Sequence, residues 1–254
     1  MPDLQFILSD EDKHLISRLD DFIYVAENKY TPKFTPFLDE RQQMIAEKTL
    51  SEKGFHNFLF FGGDDLCKRK VLGLFPDTPS SDAFPIVPLM FTYRKADKLT
   101  HRDFLGSVMS LGIKREMIGD IFVEEGKTTI FSYDTVSENI ISQISKVGSV
   151  GVKISVCDEV SITPNENFKE IDGIVASLRA DCIVSLATGL SRAKSADFIK
   201  SNGIDVNYMK IFSSSYTFSE GDIFSIKGFG KFILSEIGGL TRKEKLHIKL
   251  KKYT

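Results

Sequence analysis

The 254-residue sequence contains no tryptophan, few cysteines and no long apolar run. Cys67, Cys157 and Cys182 are odd in number and far apart, which argues against a disulfide framework or a zinc site and indicates a reducing cytoplasm. A membrane-spanning helix needs about 18 consecutive apolar residues, and the longest apolar runs here are much shorter. The first residues soon turn acidic, whereas a signal peptide is basic and then apolar. We therefore expect a cytoplasmic protein that does not enter a membrane.

Sequence signatures of catalysis are also missing. The histidines show no metal-ligand spacing, and no serine or cysteine lies in a nucleophile-elbow pattern. His101-Arg102-Asp103 matches part of a kinase catalytic loop, but Val108 stands where that loop needs an asparagine to hold magnesium. Gly228-Phe229-Gly230 lacks the third glycine and the following helix of a dinucleotide-binding loop. We expect no enzymatic activity, no metal and no cofactor.

The charges that are present are distributed unevenly. The apolar share of 42% and the charged share of 27% suit a folded protein with a core, in which we expect most of the 21 phenylalanines. The net charge, counted as Lys and Arg residues less Asp and Glu residues, is −3 for residues 1–75, −5 for residues 76–178 and +6 for residues 179–254. A basic segment attached to an acidic protein indicates a polyanionic partner, most often nucleic acid. The alternative is a basic tail that only aids solubility.

Residues 1–75 are predicted to form an N-terminal α+β segment. Apolar residues from Leu15 to Ala26 repeat with helical spacing, and Ser9 or Asp10 could cap that helix. A second helix is predicted from about Asp39 to Lys53. Two strands follow around a turn-rich loop, at Phe55–Phe61 and Lys70–Phe75.

Residues 76–165 are predicted to form a central domain. The prolines of Pro76–Pro85 indicate a connection before it. Thr100 can cap its first helix, and Gly112 can end it. The order of predicted elements is βαββαβ, which is that of a ferredoxin-like or RRM-like sheet. The strands are Ile86–Tyr93, Ile118–Val123, Thr128–Tyr133 and Val150–Cys157, and the helices are His101–Leu111 and Ser137–Val147.

Residues 166–178 are expected to be a polar linker, and residues 179–254 a third domain made of a helix-turn-helix and a small β-sheet. Its two short helices, Asp181–Thr188 and Arg192–Lys200, are separated by Gly189-Leu190-Ser191. Ser191 can cap the second helix. Arg192 and Lys194 lie in that helix's first turn, where exposed backbone N–H groups favour phosphate. Ala193, Ala196 and Ile199 are expected to pack inward. The predicted strands are Ile204–Tyr208, Ile223–Lys227, Lys231–Ile237 and Leu246–Leu250.

This last segment resembles a known RNA-binding domain. The residues that carry the resemblance are Arg-Ala-Asp from Arg179, SRAKSADFIKSNGIDVN from Ser191 and EGDIFSIKG from Glu220. They resemble the domain named after ribosomal small-subunit protein four, here called the S-four domain. In that family the helix pair presents basic residues to structured RNA. The resemblance implies RNA binding by Arg179, Arg192, Lys194 and Lys200, with Ser191 at the helix start; a purely structural role is the alternative.

The central segment resembles the bacterial YlmH family, whose members place an RRM-like domain before a C-terminal S-four domain. The resemblance rests on LTHRDFLG (residues 99–106), LGIKRE (111–116) and IGDI (118–121), and FFGG (60–63) and GFGKF (228–232) also match. It implies a ribosome-associated quality-control protein that binds the large ribosomal subunit with its rRNA and stalled peptidyl-tRNA, and a genomic association with cell division. The alternatives are an enzyme that modifies rRNA and a division-linked scaffold protein. We expect a monomer.

Further candidates for RNA contact lie outside the helix pair. Phe229 could stack on a base in a tight strand connection, and Lys231 follows it closely. Structural roles are the alternative for the basic residues of the central domain. Arg102 could pair with a nearby group such as Asp103, and Lys114 and Arg115 follow the C-terminus of a helix, where cations are favoured even without a ligand. These basic candidates are His101, Arg102, Lys114 and Arg115.

Overall fold

The computed structural model describes residues 10–157, 162, 168–240 and 244–253. These residues form six α-helices and fifteen strands, and the strands are arranged in four sheets whose pairings are antiparallel. The fold is therefore mixed α and β. The chain divides into two compact units, Met1–Pro164 (unit 1) and Asn165–Thr254 (unit 2). No helix in the described ranges is long and apolar enough to cross a membrane.

Unit 1 begins with two helices packed on a three-stranded sheet of order β1-β3-β2. Leu19, Leu50 and Leu72 are fully buried where the helices meet the sheet. The second helix starts at a capping box, in which Asp39 accepts the Gln42 N–H at 2.8 Å. Ser9 lies outside the described residues. The elements are α1 (Asp10–Lys29), β1 (Lys33–Leu38), α2 (Glu40–Glu52), β2 (Phe58–Phe61) and β3 (Lys70–Leu74).

Strand β1 contains a Thr-Pro pair, Thr35-Pro36, and is not among the strands predicted from the sequence. The ladder between β1 and β3 is irregular between Phe34 and Phe37, at the position of Pro36. A proline has no N–H to donate, so an irregularity is where a strand tolerates it. The Leu72 N–H donates to the Thr35 hydroxyl oxygen at 3.0 Å, which satisfies the facing strand.

The second part of unit 1 is a four-stranded sheet of order β5-β6-β4-β9 with two helices. Thr100 and Asp103 form a capping box at the start of α3. The predicted helix Ser137–Val147 lies instead at Asp134–Gln143, because residues Lys146–Gly151 form a two-stranded ribbon. The elements are β4 (Ile86–Thr92), α3 (His101–Met109), β5 (Ile118–Glu124), β6 (Lys127–Tyr133), α4 (Asp134–Gln143), β7 (Lys146–Val147), β8 (Val150–Gly151) and β9 (Lys153–Val156).

The two parts of unit 1 share a core. Phe37 and Val71 of the first sheet pack in one cluster with Phe131 of the second. The Arg69 backbone N–H donates to the Asp120 carboxylate at 2.8 Å, across the same junction. Residues 10–75 and 76–157 therefore belong to one compact unit, and their status as separate domains stays a prediction.

Unit 2 is a six-stranded sheet of order β10-β15-β14-β13-β11-β12 with two helices against one face. Ile183 and Ile199 of the helices pack in one core with Phe224, Phe232 and Ile248 of the sheet. We call this the covered face and the opposite side the open face. The elements are β10 (Phe168–Val175), α5 (Ala180–Thr188), α6 (Arg192–Asn202), β11 (Ile204–Val206), β12 (Met209–Ile211), β13 (Ile223–Ile226), β14 (Gly230–Leu240) and β15 (Leu246–Tyr253).

The linker predicted for residues 166–178 is wrong over most of its length, because β10 occupies Phe168–Val175 and pairs with β15 along all eight residues. The segment looked polar because Lys169, Glu170 and Asp172 lie next to or between Ile171, Gly173 and Val175. Those three alternate residues lie on one side of the strand. A Cβ on Gly173 would lie 2.3 Å from Leu186 of α5, so the glycine permits close helix–sheet packing.

Candidate nucleic-acid interface

The helix pair of unit 2 is joined by a tight turn. Gly189 ends α5 with φ +74°, a left-handed conformation that glycine adopts without a steric penalty. The Ser185 hydroxyl donates to the Leu190 carbonyl at 2.6 Å and fixes the turn. Ser191 then caps α6 as predicted, and its Oγ accepts the Lys194 N–H at 3.3 Å. A helix start leaves further backbone N–H groups unpaired, which makes this end of α6 attractive to an anion.

Asp181 connects the two predicted arginines. Its carboxylate accepts a hydrogen bond from Nε of Arg192 at 2.8 Å and another from Nε of Arg179 at 3.2 Å. Burial alone would raise the pKa of Asp181, but the hydrogen bonds from Arg192 and Arg179 outweigh burial and lower that pKa. The carboxylate therefore stays ionised and holds both guanidinium groups. The sequence analysis missed this role, because the Arg192 contact spans 11 positions along the chain.

The two arginines remain accessible while they are held. The Asp181 side chain is 8% exposed, whereas the Arg179 and Arg192 side chains are 40% and 53% exposed. Within the described residues both arginines donate from Nε to Asp181. A planar guanidinium suits the oxygens of a phosphate, and both of these remain partly exposed.

Helix α6 presents its lysines to solvent. Lys194 and Lys200 are exposed, and Ser195 and Ile199 are buried against the core. Ala193 is exposed, so the expectation that it packs inward is wrong; the buried face is shifted to Ser195 and Ile199, which are one helical turn apart. Lys200 lies about 9 Å along the axis from Lys194, in the last turn of the helix. Lys200 is therefore at the opposite end of α6 from Arg192.

Phe229 lies beside α6, whereas Lys231 lies on the other side of the sheet. The Phe229 ring is half-buried and packs edge-on against Phe198 of α6, with ring centroids 6.1 Å apart. Lys231 precedes the buried Phe232 in β14 and so lies on the open face of the sheet. Its Nζ lies 5.3 Å from the Tyr208 ring centroid and 5.2 Å from that of Tyr253. Base stacking by Phe229 stays a prediction.

The candidates of the central segment belong to unit 1. Arg102 and Lys114 are exposed. Arg115 is half-buried, and its Nη1 donates to the carbonyl oxygens of Ile118 and Gly119 at the start of β5. Burial and the nearby positive charge of Arg69 together lower the pKa of Arg115 to about 10, although Asp120 opposes them. The geometry therefore gives Arg115 a structural contact, and its RNA contact stays a prediction.

His101 lies near the same charged groups. Burial lowers its pKa, the positive charge of Arg115 lowers it further, and Asp120 opposes both effects. His101 is therefore expected to be neutral at pH 7, because its ordinary pKa is already about 6.5. A neutral imidazole would contact RNA by hydrogen bonding and not as a fixed cation.

The described residues hold no cluster of three or more His, Cys, Asp or Glu side chains that could bind a metal. Among the residues that the structure describes, none of the three cysteines forms a disulfide. Burial raises the pKa of the Cys67 thiol to about 12, so this thiol is protonated at neutral pH and chemically inert.

Comparison with known proteins places these features in context. The family model described as "Putative RNA-binding domain in YlmH" matches residues 79–160. The chain is 33% identical over 231 residues to "Ribosome-associated protein quality control protein P2" of Bacillus subtilis (strain 168), and the match covers 88% of each chain. It is also similar to the solved structure "Cell division protein ylmH from Streptococcus pneumoniae", with 25% identity and a TM-score of 0.50 over 59% of this chain and 93% of that one. The Bacillus match extends into both compact units.

Proposed function

Because this chain belongs to the YlmH family, we propose that it is a ribosome-associated RNA-binding protein without catalytic activity of its own. The name of the Bacillus subtilis relative supports a role in ribosome-associated quality control. The family model that matches residues 79–160 supports RNA as the ligand. We propose that the protein acts in the cytoplasm, on the large ribosomal subunit that carries a stalled peptidyl-tRNA, and contacts rRNA or that tRNA.

Each compact unit supplies one RNA-binding part in this proposal. Residues 76–165 form an RRM-like domain, and the strand order β5-β6-β4-β9 with a helix in each of two connections supports that assignment. Residues 179–254 form an S-four-type domain, supported by the tightly turned helix pair and the sheet beneath it. Two linked contacts increase avidity even when each contact is weak.

The observation that carries the proposal is the arginine pair held by Asp181. Two guanidinium groups fixed by one buried carboxylate lose less side-chain entropy when a phosphate binds than two free arginines would lose. The capped start of α6 and the exposed Lys194 add positive potential beside them. Such a surface binds folded RNA through its phosphates and its shape. Arg179, Arg192 and Lys194 are therefore the proposed RNA contacts of unit 2.

The test is co-sedimentation of the full chain with ribosomal particles on sucrose gradients at low salt. We expect the protein with large subunits in preference to small subunits, and we expect Lys194→Ala to move part of it to the free fraction. Lys48→Ala is the matched control, because Lys48 is also an exposed helical lysine but lies on α2 of unit 1. Equal distribution between the subunits, or a wholly free pool, would contradict the proposal.

A scaffold role in cell division is the second candidate. It is favoured by the similarity to the Streptococcus pneumoniae structure, because that protein is named a cell division protein. Ribonuclease treatment of a native extract separates the two candidates. Complexes that depend on RNA dissociate after digestion, whereas a protein scaffold keeps its partners. Turnover of rRNA nucleotides by the purified chain would instead indicate a modifying enzyme.

A further inference from the structure

The open face of the unit 2 sheet carries aromatic rings and lysines at one end. Residues of β14 and β15 that alternate with the buried Phe232, Ile248 and Leu250 must point away from the helices. Phe168 of β10 is paired with Tyr253 of β15, so both rings lie on the same side. We call the following five residues the aromatic–lysine patch: Phe168, Tyr208, Lys231, Lys251 and Tyr253.

The members of the patch form one continuous set of contacts. The Phe168 and Tyr253 ring centroids are 4.9 Å apart with the planes at 63°. Lys251 Nζ lies 5.7 Å from the Phe168 ring centroid. Lys231 Nζ lies between two rings, 5.2 Å from the Tyr253 ring centroid and 5.3 Å from the Tyr208 ring centroid. All five side chains are partly exposed, so rings and cations alternate across an accessible surface.

Tyr208 takes its place in the patch at a conformational cost. It is the second residue of the two-residue turn between β11 and β12, and φ is +46° at Asn207 and +64° at Tyr208. Such turns favour asparagine or glycine, because a bulky L-residue is strained at positive φ. Strained residues are retained where the surrounding structure or a function requires them. Here the strained residue places an aromatic ring beside Lys231.

Two lysines on the open face, Lys249 and Lys251, have different partners. Lys249 and Lys251 lie two positions apart on the same side of β15. Lys249 forms an ion pair with Glu236 at 2.5 Å. Lys251 is paired in register with Glu170, yet among the described contacts its ammonium lies over the Phe168 ring. Lys251 thus lies over an aromatic ring, whereas Lys249 is ion-paired with Glu236.

We propose that the aromatic–lysine patch is a second RNA site, which binds unpaired nucleotides. Bases would stack on Tyr208, Tyr253 and Phe168, and the two lysines would bind the neighbouring phosphates. Every base has a π-face, so aromatic rings interleaved with cations are the chemistry that single-stranded nucleic acid requires. An acidic peptide would use the lysines but would leave three rings without a matching group. The proposal rests on the proposed function for its ligand class and adds a site on the opposite side of the sheet from the helix pair.

The experiment measures binding of the full chain to a labelled oligouridylate of about ten nucleotides and, separately, to a folded rRNA hairpin. Tyr208→Asn removes the ring and keeps a residue that tolerates positive φ. We expect it to weaken oligouridylate binding about five- to tenfold, since stacking on one ring contributes on this scale. Hairpin binding is expected to change less than about twofold, and Tm is expected to stay equal or rise.

Lys251→Ala and Lys249→Ala form a matched pair on one strand. We expect Lys251→Ala to weaken oligouridylate binding and to reduce its log–log salt slope by about 0.7, which is one phosphate contact. Lys249→Ala is expected to leave both unchanged. If both variants lose the same oligouridylate affinity, the patch is not an RNA site. The same conclusion follows if the wild-type chain binds the hairpin but not the oligouridylate. Failure to bind either RNA would instead overturn the proposed function. If Tyr208→Asn lowers Tm, the lysine pair decides alone.

Discussion

The arginine pair at Asp181 leads to a prediction about stability. Replacing both Arg179 and Arg192 with alanine leaves a carboxylate whose side chain is 8% exposed without these two counter-charges. Loss of the partner from a buried ion pair costs about 3–5 kcal/mol. The two guanidinium groups are partly exposed, so water screens part of the attraction, and we expect the lower end, about 3 kcal/mol for the stranded carboxylate. For a folding unit of about 100 residues, this lowers Tm by roughly 12–24 °C.

The pH dependence of stability tests the same carboxylate. The pKa of Asp181 is lowered in the folded state, below the unfolded value of about 3.9. The ion pairs therefore stabilise the fold above that pH, and the stabilisation is lost as the pH falls through the lowered folded-state pKa. In the double variant only burial remains, and burial raises the pKa of Asp181. We then expect the variant to lose stability as the pH rises from about 4 towards neutrality.

The assay is differential scanning calorimetry of the full chain, since the sequence has no tryptophan for fluorescence. Each single arginine variant leaves one partner in place, so we expect its loss to be less than half that of the double variant. Lys194→Ala with Lys200→Ala is the control, because it removes the same total charge from unit 2 and neither lysine contacts Asp181 in the described residues. A control that loses as much stability as the arginine double variant, or an unchanged double variant, would refute the reasoning.

Three further outcomes are expected. Lys194→Ala lowers the log–log salt slope of RNA binding by about 0.7–0.9, measured by titration at several salt concentrations; an unchanged slope removes Lys194 from the interface. Gly62→Ala lowers Tm, because the new Cβ would lie 2.4 Å from the Cβ of Cys67. Gly106→Ala raises the free energy of unfolding by about 0.5–1 kcal/mol, because a Cβ at this helical position in α3 has no neighbour within 4 Å. Cys67 resists alkylation at neutral pH until the chain unfolds, and rapid labelling of the folded protein by mass spectrometry would contradict its burial.

The elements that sequence reasoning located are those with local signals. Asp39 before α2, Thr100 before α3 and Ser191 before α6 each accept a backbone N–H in the first turn, and each helix begins at the next residue. Capping acts over three or four residues, so a single sequence carries the whole signal. Gly189 ended α5 for the same reason.

The elements that sequence reasoning missed depend on distant partners. Strand β10 is held by β15, and the segment of chain between them is long, so no local pattern distinguishes it from a polar connection. Strand β1 tolerates Pro36 because its ladder with β3 is irregular there. The site shows the same division: the Ser191 cap was predictable, whereas the link from Asp181 to Arg192 exists only after α5 and α6 have packed.

The pairing of β10 with β15 also affects how unit 2 folds during translation. A ribosome synthesises β10, α5 and α6 well before Leu246–Tyr253, and until then β10 has no neighbour in the sheet. Ile248 and Leu250 are likewise missing from the core on which both helices rest. Contacts between distant segments form late in folding. We therefore expect the helix pair to lack part of its core until β15 has been translated, and to become fully ordered only then.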